Sequence, residues 1–160
     1  MVEVKVYCDS NVYLDFLLDR RSHTGEPLGK YAEWVFSYAR QCCYCIVISD
    51  HVIREVKSNL RPGKQEYFHK LLDKLGPKLS VVRTTDEDRS HAREIDRFDN
   101  FSDALHVVIA VRHGVDALVT NNYPDFIQYL DYLREVRLIK PLNISTLVDN
   151  VSPQQPPGAP

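Results

Sequence analysis

The chain has 160 residues, 44% hydrophobic and 26% charged, which suits one soluble globular domain with a real core and excludes a disordered chain. Its 20 Lys and Arg against 22 Asp and Glu leave a net charge of −2, which excludes a generic polyanion binder. No apolar run approaches membrane-spanning length and no signal-peptide series precedes the first strand, so the expected setting is the cytoplasm, away from membranes.

The alternation from Val2 to Cys8 predicts a strand, and Ser10 to Asp19 follows as a helix with Val12, Tyr13, Phe16 and Leu17 on its core side. Arg20 to Gly29 is a polar, Gly- and Pro-containing loop. A helix over 30–40, a strand over 44–48 and a helix over 51–60 capped by Ser49 or Asp50 come next, the last ending before Pro62-Gly63. Residues 65–75 read as a helix, 79–82 as a strand, and Thr85 caps a helix toward Asp96. Ser102 to His113 is apolar around nearly its whole circumference, so it reads as a buried helix ended by Gly114. A strand over 117–120, a short helix over 125–133 and a strand over 136–139 complete the pattern. Residues 1–150 are expected to form a single domain and 151–160 a Pro-rich flexible tail.

Strands alternating with helices imply βαβ units, hence an α/β/α sandwich: a central, mainly parallel twisted sheet covered by helices on both faces. Cys42, Cys43 and Cys45 crowd the start of the second strand without a CxxC pairing; with Cys8 they read as free thiols of a reduced compartment.

Four acids stand where an apolar segment gives way to polar residues: Asp9, Glu55, Asp103 and Asp125. A parallel sheet brings such positions to one edge, the edge where ligands bind in open α/β sheets. Two carboxylates about 5 Å apart repel by roughly 3 kcal/mol at an effective dielectric of about 20, so four together call for a cation. A divalent-metal site is the natural hypothesis. Asp116 precedes its strand and, at about 3.3 Å per residue, sits roughly 13–15 Å away at the opposite end, so it is excluded.

The segments Cys8-Asp9-Ser10-Asn11-Val12, Val52-Ile53-Arg54-Glu55-Val56, Ser102-Asp103-Ala104-Leu105-His106 and Val119-Thr120-Asn121-Asn122-Tyr123-Pro124-Asp125-Phe126, in that order, resemble the PIN-domain nucleases. With no large additional domain, the chain is similar to the stand-alone ribonuclease toxins of toxin–antitoxin pairs. The resemblance implies a PIN-like fold and a metal-dependent endoribonuclease. Asp9 and Asp103 would be principal ligands of Mg²⁺ or Mn²⁺, with Glu55 and Asp125 acting directly or through water. Asn11, Thr120 and Asn122 match its polar positions and take an orienting role. It further implies an RNA substrate cut to leave a 5′-phosphate and a 3′-hydroxyl, an antitoxin partner and a homodimer. The chemistry suits the residue types: hard oxygen ligands hold Mg²⁺ without stripping its waters, and the ion activates a water and stabilises phosphate charge.

Each residue also has a plainer reading. Asp9 can be an N-cap, Asp103 a carboxylate favoured by a helix dipole, Glu55 a solvated flank and Asp125 the start of a helix after Pro124. His106 and His51 read as hydrogen-bonded structural histidines. The loop from Arg20 through Lys30, with Arg21 and His23, together with Arg54, Arg61 and Lys64 near Glu55, offers candidate RNA-phosphate contacts or solvated surface. Tyr13, Phe16, Trp34 and Phe36 are expected in packing rather than base stacking. Two other functions compete: an aspartyl-phosphate phosphatase, disfavoured because Asn11 stands where its second acid belongs, and a PIN-fold scaffold that binds RNA or protein without cutting.

Overall fold

The computed structural model describes residues 3–148; residues 149 and 150 and the expected tail over 151–160 lie outside the described residues, as does Val2, where the first strand was expected to begin. β1 (Lys5–Cys8), β2 (Cys45–Ser49), β3 (Leu79–Val82), β4 (Ala117–Val119) and β5 (Arg137–Ile139) form one parallel sheet in the order β3-β2-β1-β4-β5. β2 is buried along its whole length and β1 beyond Lys5, because central strands of a parallel sheet are covered on both faces. At the β3 edge Val81 is exposed.

α1 (Ser10–Leu17), α2 (Leu28–Arg40), α3 (Asp50–Ser58) and α4 (Pro62–Leu75) pack among themselves, and α5 (Asp86–Ile95), α6 (Phe101–Arg112), α7 (Tyr123–Ile127) and α8 (Leu130–Leu133) form a second group. The first group carries the chain from β1 out to β3, the second carries it back across to β5. Right-handed crossovers therefore put the groups on opposite faces, giving the expected sandwich. The direction of travel reverses between β1 and β4, which makes the crevice there the binding position of the fold.

α6 is as buried as its composition demands: Ala104 through Ala110 are all inside. Its N-cap is Asn100, whose side chain accepts from the Asp103 backbone N–H. Gly114 follows it at φ 60°, the left-handed conformation that closes a helix.

Three boundaries differ from expectation. Pro62 opens α4 rather than preceding it, since proline fits the first helical turn, where its missing N–H costs nothing. The helix expected over 125–133 starts earlier and divides in two. The Gln128 side-chain amide takes the Asp125 carbonyl at 2.8 Å, and the Tyr129 N–H bonds Phe126 instead, tightening the chain into a turn. Beyond β5, a 3₁₀ turn (Pro141–Asn143) and α9 (Ser145–Val148) bury Ile144 and Val148, structure that the Pro-interrupted sequence did not announce.

Candidate functional site

Asp9 sits one residue past β1, with its backbone N–H on the Val119 carbonyl, and caps α1. Its Oδ1 accepts from the Asn11 backbone N–H at 2.5 Å and its Oδ2 from the Thr120 hydroxyl, which stands one residue past β4. The Asn122 backbone N–H in turn donates to Thr120 Oγ1 at 2.9 Å. Of the three residues expected to orient the site, Thr120 bonds Asp9 directly, Asn122 bonds Thr120 through its backbone, and Asn11 bonds Asp9 through its backbone while its side chain takes another partner. The capping reading and the site reading of Asp9 are compatible, because each carboxylate oxygen keeps a lone pair beyond its bond.

Glu55 lies at the cavity-facing flank of α3, held by three residues of two other helices, α1 and α6. Its Oε1 accepts from Ser10 Oγ at 2.6 Å and His106 Nε2 at 2.7 Å, and its Oε2 from Ser102 Oγ at 2.5 Å. His106 Nδ1 meets the Tyr7 hydroxyl at 2.8 Å, which meets Ser49 Oγ at 2.9 Å, and Ser49 Oγ caps α3 through the Val52 N–H. His106 is thus the hydrogen-bonded core histidine that its apolar helix predicts, and also a direct partner of Glu55. His51 Nε2 lies 3.0 Å from Ser102 Oγ and 3.5 Å from Glu55 Oε1.

Asp9, Glu55 and Asp103 line one cavity of about 170 Å³, together with Asn11, Arg20 and His106. Asp125 does not; it is exposed and borders a neighbouring groove of about 490 Å³ with His23, Asn121 and Lys140. It still bears on the cavity, since its charge contributes to the state of Asp103. Asp116 is at the far end of β4, accepting from the Lys5 N–H, as strand polarity requires. Among the five candidate phosphate contacts, none lines the cavity: Arg21 donates to the Gly25 carbonyl, His23 borders the 490 Å³ groove, Lys64 lies over the Tyr67 ring, and Arg54 and Arg61 are exposed. Tyr13 and Phe36 pack against each other in the core, as expected.

The three cavity acids are electrostatically unequal. Burial alone would raise the Glu55 carboxyl, but the bonds from His106, Ser10 and Ser102 hold it well below the usual carboxylate range. Asp103 is pushed up to about 6, mainly by burial, with the charges of Asp9 and Asp125 adding to the shift against His106 and Asn100. Asp9 is raised too, by burial, which the Thr120, His106 and Asn11 interactions only partly offset. Among the described residues Asp103 Oδ1 accepts no hydrogen bond, its partner Asn100 being on Oδ2. Asp9 and Asp103 are therefore carboxylates short of positive charge, with oxygen lone pairs to spare, and that donor set fits a hard divalent cation.

A second set, His51, Glu55 and His106, brings ligand-type atoms within 4.8 Å of one another. Their hydrogen bonds already use those atoms. Glu55 as carboxylate can only accept, so His106 Nε2 carries the proton of their 2.7 Å bond. Burial also pushes His51 down to about 4, the neighbouring His106 acting in the same direction.

Sequence reasoning missed Ser10, Ser102 and the partnership of the histidines with Glu55, and it took Arg20 only as the start of a loop able to contact phosphates, not as a lining residue of the cavity. One signal was present: His51 and Glu55, like Ser102 and His106, stand four residues apart and so share a helix face.

A parallel α/β sandwich with a buried strand-end carboxylate, Asp9, beside the helix-borne Glu55 and Asp103 at the point of topological reversal defines an acidic-site α/β protein. The chain belongs to the PIN domain family, which it matches over residues 5–124. Its fold is similar to that of VapBC2 from Rickettsia felis bound to a DNA fragment from their promoter, at 17% identity and TM-score 0.52, with 86% of this chain and 98% of that chain covered. It is also similar to FitAB bound to an IR36 DNA fragment, at 15% identity and TM-score 0.53, covering 85% and 94%. No curated protein matches the sequence. Among the described residues no helix is long and apolar enough to cross a membrane.

Proposed function

We propose that the protein is a divalent-metal-dependent endoribonuclease and the toxin of a toxin–antitoxin pair. The observation that carries this reading is the pairing of Asp9 and Asp103 in one small cavity with their charge uncompensated, beside a Glu55 whose charge is fully met. Asp9 and Asp103 would hold Mg²⁺ or Mn²⁺ directly, with Glu55 and Asp125 reaching it through water. The ion supplies an activated water and charge stabilisation at the phosphate. Thr120 fixes the Asp9 carboxylate, and the serines and His106 fix Glu55 as a permanent anion that can orient a water by accepting a hydrogen bond from it. The two solved structures named above come from assemblies bound to DNA, which supports an antitoxin partner for this chain; a homodimer, a single domain over 1–150 and a cytoplasmic setting belong to the same proposal.

The test is cleavage of an RNA panel with Mn²⁺ or Mg²⁺. Cleavage is expected from the wild type and is expected to vanish in Asp9→Asn and Asp103→Asn, with circular dichroism and Tm showing the fold retained. Full-rate cleavage by both variants would remove the site assignment. Mn²⁺ binding without cleavage of any RNA would assign the protein as a scaffold instead.

A further inference from the structure

Among the described residues Arg20 is the one guanidinium lining the carboxylate cavity, and the loop that carries it is built to hold it there. Its backbone N–H donates to the Asp15 carbonyl at 3.0 Å, and its own carbonyl accepts from the Gly29 N–H at 3.1 Å. Gly29 is needed for that approach, since a Cβ there would fall 2.7 Å from the Asp15 carbonyl oxygen. The side chain is fixed as well, with NH1 3.3 Å from Asn11 Oδ1 and 3.7 Å from Asp15 Oδ1. Both contacts use NH1. Among the described residues NH2 and Nε have no partner, so most of the donors of the fork remain unused.

The plain alternative is that Arg20 serves as counterion to the buried Asp15. The geometry argues against that as its whole role. A charge-assisted hydrogen bond runs at about 2.7–2.9 Å, and the Arg20–Asp15 separation is 3.7 Å. Asp15 has a shorter partner in Asn121 Nδ2 at 2.9 Å. Nor does Arg20 fold onto Asp9, Glu55 or Asp103, although all three line the same cavity. It is a cation paired only loosely, through NH1 with Asp15, with donors to spare.

We propose that Arg20 is a substrate-phosphate ligand: its free NH2 and Nε donors take the non-bridging oxygens of a phosphodiester entering the cavity of Asp9, Glu55 and Asp103. The proposal rests on the nuclease reading and names the group that receives the substrate. A planar fork suits two oxygens of one phosphate, and a cation on the side away from the acids offsets the repulsion that a carboxylate cavity exerts on a polyanion.

The experiment compares wild type, Arg20→Gln, Arg20→Lys, Asp15→Asn and the double variant Arg20→Gln/Asp15→Asn. Affinity for a short single-stranded RNA is measured with Ca²⁺ in place of Mn²⁺, with the RNA checked for integrity; Mn²⁺ affinity without RNA is measured by calorimetry. Arg20→Gln is expected to weaken RNA binding about 10- to 100-fold, the loss of a charge-assisted contact, and to reduce the slope of log Kd against log salt by about 0.7. Arg20→Lys recovers part of the affinity, Mn²⁺ binding persists in every variant, and Asp15→Asn binds RNA as the wild type does. A counterion role predicts the opposite: Asp15→Asn restoring the Arg20→Gln defect in the double variant. That rescue, or wild-type RNA affinity in Arg20→Gln, overturns the proposal while leaving the nuclease reading intact. A wild type that binds no RNA overturns both.

Discussion

Thr120 donates its hydroxyl to Asp9 across the gap between β4 and β1, so a single side-chain bond joins the two strand ends where the direction of the chain through the sheet reverses. It is buried on both sides, and it acts to lower an Asp9 carboxyl that burial raises. Removing it shifts Asp9 further upward.

Thr120→Val should therefore weaken Mn²⁺ binding about 10- to 100-fold, the range for lost partners of metal-ligating groups. The acidic limb of the activity profile should move to higher pH, and Thr120→Ser should retain near-normal behaviour. Calorimetric Mn²⁺ titration and a kcat/KM profile against pH check this. An unchanged profile in Thr120→Val contradicts it.

Asp103 gives a pH dependence of opposite sign to the usual carboxylate. Its folded value near 6 lies above that of an unfolded aspartate, so the metal-free folded state binds the extra proton. His51, whose folded value near 4 lies below the unfolded one, makes stability rise with pH over the window in which Asp103 makes it fall. The Asp103 effect is therefore read as the difference between wild type and Asp103→Asn, which should grow against the wild type as pH rises from about 4 through 6, then level off. Mn²⁺ should reverse the trend, because the cation favours the ionised form. Asp103→Asn should abolish cleavage yet raise the metal-free Tm at pH 7 by a few degrees, about 1 kcal/mol after discounting for solvent. Thermal melts across pH, with and without Mn²⁺, decide the matter.

Glu55→Gln should behave differently from Asp103→Asn. Three donors converge on the Glu55 carboxylate. An amide offers one acceptor oxygen and turns an NH₂ toward the rest, so the substitution should cost about 1–3 kcal/mol of stability as well as activity. Chemical denaturation of the two variants side by side separates a carboxylate the fold depends on from one the fold merely tolerates.

Arg112 and Asp88 supply a control outside the cavity. Arg112 pairs with the buried Asp88 through Nε at 2.6 Å and NH2 at 2.9 Å, tying α6 to the capped start of α5. Burial would raise Asp88, but Arg112 and the Thr85 backbone N–H hold it below the usual range. This contribution is present above about pH 4 and lost as pH falls through the lowered folded value. Arg112→Met should cost about 2 kcal/mol, less than a fully buried pair because the arginine is partly exposed. Mn²⁺ affinity below the melting temperature should be unaffected.

The sheet was legible because Val2 to Cys8, Tyr44 to Ile48 and Ala117 to Thr120 announce buried strands, and strand polarity alone placed Asp9 and excluded Asp116. Glu55 was legible as a position, not as an environment: Ser10 and Ser102 are 45 and 47 residues from it in sequence, and nothing local aims them at one carboxylate. The place of Arg20 in the cavity was hidden for the same reason: it read only as the start of a loop able to contact phosphates until Asn11, Asp15 and Gly29 fold around it. Asp125 was placed near the right edge, but periodicity does not say toward which hollow an exposed side chain on a short helix turns.

The bonds from Ser49 to Tyr7, Tyr7 to His106 and His106 to Glu55 begin and end on α3, since Ser49 caps the helix that carries Glu55. They form a closed circuit through β1 and α6. Any roll or slide of α3 against the sheet must break it somewhere, so the angular setting of Glu55 is fixed by a ring rather than by a single contact. A lone replacement at Tyr7 or His106 opens the ring and strands a buried polar partner. Sequence drift at these positions is therefore expected to proceed by compensating pairs, and a family-wide comparison should find them changing together or not at all.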